Sequence, residues 1–344
     1  MRKGALTNVI PISAISHLGQ GLQRPECVLT HSSGHVFAAD WQGNGGVAVI
    51  APDGSVRRVT ARGVPEPLRP NGIALEAGGS FLIAHLGDAS GGVFRLFADG
   101  SVEPVLTEIE GRPLPPTNFV ALDHAGRLWL TVSTRTLPRH DAARPDIADG
   151  YVALVPPDGP ARIVADDLGY TNECIVSADG RHLLINETFA KRLSRFEITG
   201  DATLGPRETV TTFGAGTFPD GLAPDADGAV WITSIVSNRV IRVDPDGRAE
   251  TIVEDCDAAE MAETEALFQR GALDTARLNL RLGAVLANVS SLAFGGADLR
   301  TAYLGCLKGD AIATFPMPVA GIRPIHWTAD LGPLEDAGVL GPIA

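Results

Sequence analysis

A short phrase recurs six times along the chain, in which a polar residue opens an apolar run and a Gly-containing turn follows. The copies begin Glu26-Cys27-Val28-Leu29, Asn71-Gly72-Ile73-Ala74, Asn118-Phe119-Val120-Ala121, Asn172-Glu173-Cys174-Ile175, Asp220-Gly221-Leu222-Ala223 and Ser290-Ser291-Leu292-Ala293. Their first residues stand 45, 47, 54, 48 and 70 positions apart. Such a period belongs to stacked units that cannot bury an apolar face singly. The chain must therefore pack like units side by side.

A second apolar run follows each turn, as in Leu128-Trp129-Leu130-Thr131 and Val230-Trp231-Ile232-Thr233, and reads as a strand. In most units a third and a fourth strand are separated by Asp53-Gly54, Asp99-Gly100, Asp158-Gly159, Gly200-Asp201 or Asp246-Gly247, residues suited to the positive φ of tight hairpins. Four antiparallel strands make a blade, so six units predict an all-β, six-bladed β-propeller. The last unit lacks a clear fourth strand before Pro316, whereas the apolar run 9–15 is unassigned. This N-terminal strand is expected to complete the sixth blade and remove the open edges. Residues 1–344 then read as a single domain with blades starting near 26, 71, 118, 172, 220 and 290.

Two segments interrupt the repeat. Residues 133–150, with Arg135, Arg139, His140 and Arg144, read as a surface loop. Residues 255–288 contain Met261, Leu267 and Phe268 at helical spacing. They predict a short helical insertion between blades five and six covering a blade junction, with a lid or subunit contact as alternatives.

Charge and cysteine usage exclude several classes. The 28 basic and 41 acidic residues give a net charge of −13, which disfavours nucleic acid and anionic membrane surfaces. Cys27, Cys174, Cys256 and Cys306 show no CxxC spacing and fit small core residues in a reducing compartment. Met1-Arg2-Lys3 opens like a signal peptide, but Asn8, Pro11 and Ser13 interrupt any apolar run, and none reaches membrane-spanning length. A cytoplasmic location is expected. The oligomeric state is not encoded in any pattern.

In each repeat the opening polar residue heads the innermost strand, so ring geometry brings Glu26, Asn71, Asn118, Asn172, Asp220 and Ser290 to one mouth of the central channel. Carboxylates and amides together form an all-oxygen site for one hard divalent cation, Ca²⁺ first, with Mg²⁺, Mn²⁺ or Zn²⁺ as alternatives. Asn71 and Ser290 also suit simple turn caps. Glu26 does not, because Glu has little turn preference.

The motifs Arg24-Pro25-Glu26-Cys27, Thr117-Asn118 with Asp123-His124-Ala125-Gly126-Arg127-Leu128-Trp129, Thr171-Asn172, Phe218-Pro219-Asp220-Gly221-Leu222 and Ser291-Leu292-Ala293-Phe294-Gly295-Gly296 occur in order at blade spacing. In this the chain resembles the senescence-marker/gluconolactonase (regucalcin-like) family of six-bladed propellers. The resemblance implies Glu26, Asn172 and Asp220 as metal ligands, Asp220 also as general base, and Asn118 as an amide facing metal or substrate. It implies a metal-dependent lactonase. The chain departs from the pattern at Phe119, Glu173 and Pro116, which points away from a polyhydroxylated sugar and towards a less polar lactone or ester. Asn71, Asn118, Phe119, Glu173 and His140 are the expected substrate contacts.

Other motifs carry less. Gly87-Asp88-Ala89-Ser90-Gly91-Gly92 has one residue too many for a protease nucleophile loop and no partnered His and Asp motifs. His31 and His35 flank a turn and are expected to face solvent. Asp225-Ala226-Asp227-Gly228 lacks the later Glu of a calcium loop and reads as a hairpin turn. His85 and His140 are the histidines placed to approach the mouth. An aryl esterase or phosphotriesterase on the same site, and a non-enzymatic calcium-binding propeller, are the rival functions.

Overall fold

In the computed structural model, which describes residues 9–340, six four-stranded antiparallel sheets follow one another along the chain. Blade one comprises Val28–Thr30, Val36–Asp40, Gly46–Ile50 and Val56–Thr60. The innermost strands of blades two to six are Pro70–Leu75, Phe119–Leu122, Thr171–Val176, Phe218–Pro224 and Val289–Gly295. In blades one to five the strands run outward from the innermost in sequence order, and in blade six the first three do, the architecture the repeat predicts.

Closure comes from the N-terminus, one step later than the sequence suggests. The strand that pairs with Ile312–Pro316 is Ser16–Leu18, with Ser16 opposite Thr314 and Leu18 opposite Ile312. Within the expected 9–15 strand, Ile12–Ala14 instead form a 3-10 turn. Pro11 has no N–H for a ladder. Ile10, Ile12 and Ile15 pack against the cluster shared by blades five and six. Apolar character there marks a packing contact, not a sheet edge.

The cores lie between neighbouring blades. Phe37 and Phe81 meet at 5.3 Å between blades one and two, and Trp231 meets Phe294 edge-on at 6.1 Å between blades five and six. The turns after the innermost strands of blades three and five are tied by buried carboxylates. Asp225 Oδ1 accepts from the Asp227 and Ala229 N–H groups, both at 2.9 Å. Its Oδ2 accepts from Trp231 Nε1 at 2.9 Å and Arg242 Nε at 2.8 Å. Asp123 does the same with Ala125, Arg127 and Trp129. This is how Asp-x-x-Gly becomes a hairpin brace.

The insertion is helical, as expected. Ala258–Gln269 starts at Asp257, whose carboxylate accepts from the Ala259 and Glu260 N–H groups. Met261, Thr264 and Phe268 are buried. Phe268 stacks on Phe189 at 5.7 Å and meets Phe218 edge-on at 5.3 Å, so the helix covers the junction of blades four and five.

After the sixth blade the chain crosses the opposite face. Ala320 O accepts from Ala226 N, Trp327 O from Ser32 N, and Ala77 O from Asp330 N. Leu331, Leu334 and Leu340 then enter the core between blades one and two. His31 and His35, expected at the solvent, are buried under this tail, with His31 Nε2 3.1 Å from Ala329 O. The tail carries no repeat signature that announces it as a cover. Among the described residues no helix is long and apolar enough to cross a membrane.

Two predictions follow from these contacts. Asp225→Ala strands two N–H groups, an indole and a guanidinium, and is expected to lower the unfolding free energy by about 3–5 kcal/mol in urea titration. In the tail, burial pushes the His326 imidazole down to about 4, whereas the unfolded one protonates near 6.5. The unfolded state therefore binds the extra proton, and stability is lost as pH falls from 6.5 towards 4, by up to roughly 3 kcal/mol. His326→Gln should flatten that loss in denaturation curves taken across the window.

Candidate active site

The six opening residues do reach one mouth, and hydrogen bonds between neighbouring blades hold them there. Asn71 Nδ2 donates to Asn118 O at 2.9 Å and to Asn118 Oδ1 at 3.1 Å. Asn118 Nδ2 donates to Asn172 Oδ1 at 2.7 Å, and Asn172 Nδ2 to Thr188 Oγ1 at 3.0 Å. Thr188 Oγ1 donates to Pro219 O at 2.8 Å, and Asn186 Nδ2 to Asp220 O at 3.0 Å. Thr233 Oγ1 donates to Ser290 O at 2.6 Å, and Ser290 Oγ to Glu26 O at 2.8 Å. Arg24 closes the circuit, donating to Glu26 Oε2 at 2.6 Å and to Asn71 Oδ1 at 3.2 Å.

A local irregularity lets this polar ring form. The register of the innermost strand slips between Pro70 and Ile73, Thr171 and Cys174, Pro219 and Leu222, and Val289 and Leu292. Regular alternation sends neighbouring side chains to opposite faces, and a bulge re-aims them. Gly72 and Gly221 occupy two of these bulges, where a Cβ would sit 2.6 Å from Phe119 Cα and 2.4 Å from Ser290 O. Glycine is required there for close approach of the next blade.

Three buried carboxyl groups influence one another around the mouth. Asp220 is 3% exposed, and its carboxyl finds no hydrogen-bond donor among the described residues. Burial first, then Glu26 and Glu173, hold it well above the ordinary carboxyl range, against the weaker pull of Arg24 and Arg139. Glu173 lies just beneath, accepting from Leu222 N at 3.1 Å, and burial pushes its carboxyl up to about 8. Glu26 is partnered by Arg24, whose guanidinium stacks over Trp41 at 4.6 Å.

The remaining expected contacts divide. Asn118 sits at the centre of the amide chain. Phe119 lines the channel below the ring. His140 is exposed and lies 3.5 Å from Asp141. Its neighbour Arg139 makes the approach instead, donating to Asn118 Oδ1 at 3.3 Å and Ser133 Oγ at 3.2 Å, with its guanidinium 5.4 Å from the Tyr170 ring. The 133–150 insertion is thus a surface loop with one arm in the site. His85 accepts from Arg69 N at 3.0 Å.

Sequence reading missed Arg139, Arg24, Thr188 and Tyr170 as contributors. Nothing local separates Arg139 from Arg135 and Arg144, which pair with Asp166 and Asp146. Arg24 did carry a signal, standing two residues before Glu26 in the first motif.

A six-bladed propeller whose inner strands gather two carboxylates and several amides at one mouth defines the class. The profile of the SMP-30/Gluconolactonase/LRE-like region matches residues 63–258, and the chain belongs to that family. A 6-deoxy-6-sulfogluconolactonase from Pseudomonas putida is 28% identical over 255 residues, 73% of this chain and 72% of that protein. Strictosidine synthase-like 7 of Arabidopsis thaliana is 27% identical over 170 residues, 48% of this chain and 43% of that protein. Regucalcin from Agrobacterium tumefaciens, a calcium-binding protein, superposes with a TM-score of 0.67 at 18% identity, covering 93% of this chain and 98% of that one. A gluconolactonase from Xanthomonas campestris gives 0.64 at 20% identity, covering 88% and 89%. These structural likenesses establish the fold.

The amide chain makes its own prediction. Asn118→Asp removes the donor to Asn172 Oδ1 and sets a buried carboxylate against that amide oxygen. In chelator-treated protein it should cost about 2–4 kcal/mol of unfolding free energy. A loss below about 0.5 kcal/mol, the size of an ordinary surface substitution, would show that the chain does not hold the mouth.

Proposed function

We propose that the chain is a lactone hydrolase that works with one divalent cation, Ca²⁺ first among the hard ions. Family membership and the sulfogluconolactonase relative support lactone opening. The observation that carries the site assignment is Asp220, a buried carboxyl without a donor among the described residues, raised by its burial and then by two neighbouring carboxyl groups. A bound cation would offset that repulsion and favour the ionised carboxylate. Glu26, Asn172 and Asp220 would hold it. Two carboxylates and an amide oxygen form a donor set that suits a hard, oxygen-preferring ion better than zinc.

When bound, the ion supplies Lewis-acid polarisation of the ester carbonyl and lowers the pKa of an attacking water. Asp220 takes a proton from that water as general base. The water oxygen bonds to the carbonyl carbon, the ring C–O bond breaks, and the proton passes to the departing alkoxide, leaving a hydroxy acid. Asn118, fixed between Asn71 and Asn172, orients the substrate. Glu173, neutral beneath the ring, closes the floor without adding a charge. Arg24 and Arg139 place two guanidinium groups around the mouth, which suits a lactone bearing an anionic substituent better than an apolar one.

The test is a panel of neutral and anionic sugar lactones, aryl esters and phosphotriesters, assayed with and without chelator. Lactone hydrolysis should vanish on chelation and return with Ca²⁺, Mg²⁺ or Mn²⁺. Asp220→Asn should lower kcat about 100-fold or more. Full kcat in Asp220→Asn with cation bound would remove the base assignment. Turnover confined to aryl esters or phosphotriesters would move the substrate class. No turnover alongside a cation-raised melting temperature would make the protein a calcium-binding propeller.

A further inference from the structure

Beneath the polar ring the channel widens into a cavity of about 620 Å³, within the range of small-molecule pockets. Glu173 and Ser291 form its roof, and Glu26, Asn118, Asn172 and Asp220 take no part in its wall. Towards the opposite face its wall is formed by residues 124–125 and 178–180 together with the C-terminal tail residues 322–326. This space is separate from the candidate catalytic mouth.

Its wall is apolar where the fold does not require it. An innermost strand that buries its sides between blades is free to present polar residues to a water-filled channel. Here Leu29, Phe119, Ala121, Ile175 and Ala293 are only half-buried and line the cavity. Apolar surface left to water carries a cost of about 25 cal/mol per Å², and contiguous patches of it mark binding sites.

The polar groups at the opening are unequal. Asp123 is neutralised by Arg127, and Asp179 by Arg181. His326, from the tail, is kept neutral by its surroundings. Arg323 is exposed and has no ion-pair partner among the described residues. Among the described residues lining the opening, Arg323 is thus a cation without an ion-pair partner at the rim of an apolar tunnel.

We propose that this far end of the channel is a second binding site, for a single-chain amphiphile with a monoanionic head. The chain lies along the apolar wall and the head pairs with Arg323. The site uses neither the catalytic ring nor its cation, so it stands or falls independently of the lactonase reading.

Titration calorimetry of the full chain with sodium decanoate and with nonyltrimethylammonium, which share a nine-carbon tail and differ in the head, tests it. Decanoate should bind one to one, at least tenfold tighter than the cationic amphiphile. Arg323→Ala should erase the difference between the two heads. Ala121→Phe, which fills the tunnel, should weaken decanoate at least tenfold, and Ala293→Leu provides the same test should the first variant fail to fold. Lactone turnover should be unchanged in Arg323→Ala. The proposal is overturned if decanoate shows no binding below about 1 mM, the limit of weak association. It is equally overturned if both heads bind alike to the native protein, or if a folded tunnel-filling variant retains native affinity.

Discussion

Each blade of this propeller is tied to the next at the first residues of its innermost strand, and everything above and below depends on those ties. The hydrogen bonds run from Asn71 through Asn118, Asn172 and Thr188 to the Pro219 carbonyl, and from Thr233 through Ser290 to Glu26. They satisfy polar groups in a region where water is largely excluded, and a buried group left without a partner is expensive. The same side chains that close the ring therefore surround its mouth. Ser290 and Asn71 serve the ring, whereas Asp220, which lends only its carbonyl to Asn186, keeps its carboxyl free.

The bulges in four of the inner strands connect backbone geometry to chemistry. At Thr171 to Cys174 the slip lets Asn172 join the mouth while Glu173 roofs the cavity below. In an unbroken ladder these neighbours face opposite ways. The result is a cluster of buried carboxyl groups on a rigid scaffold, in which burial and then Glu26 and Glu173 raise Asp220 against the weaker pull of two arginines. Raised carboxyl groups in a concave site are a mark of function.

The two ends of the channel differ in character. The mouth is polar, with Arg24 and Arg139 near Glu26 and Asp220, and is flanked by Tyr170 and the insertion helix with Phe268 against Phe189 and Phe218. The far end is apolar and partly covered by the C-terminal tail. The tail pays a structural role as well, since Leu331, Leu334 and Leu340 fill the seam between blades one and two.

Blade number, strand order and the convergence of Glu26, Asn118, Asn172 and Asp220 were legible in the chain, because each depends on a local pattern repeated at fixed spacing. Period-two apolar runs and Gly turns determine strands, and six of them in a ring leave one geometry. The closing strand was misplaced because an apolar run at 9–15 looks alike whether it joins a ladder or packs on one. Arg139, the burial of His31 and His35 and the apolar cavity were decided only in three dimensions. Each depends on segments far apart in sequence meeting across the ring, and no local pattern records which arginine of a loop turns inward or where a tail crosses.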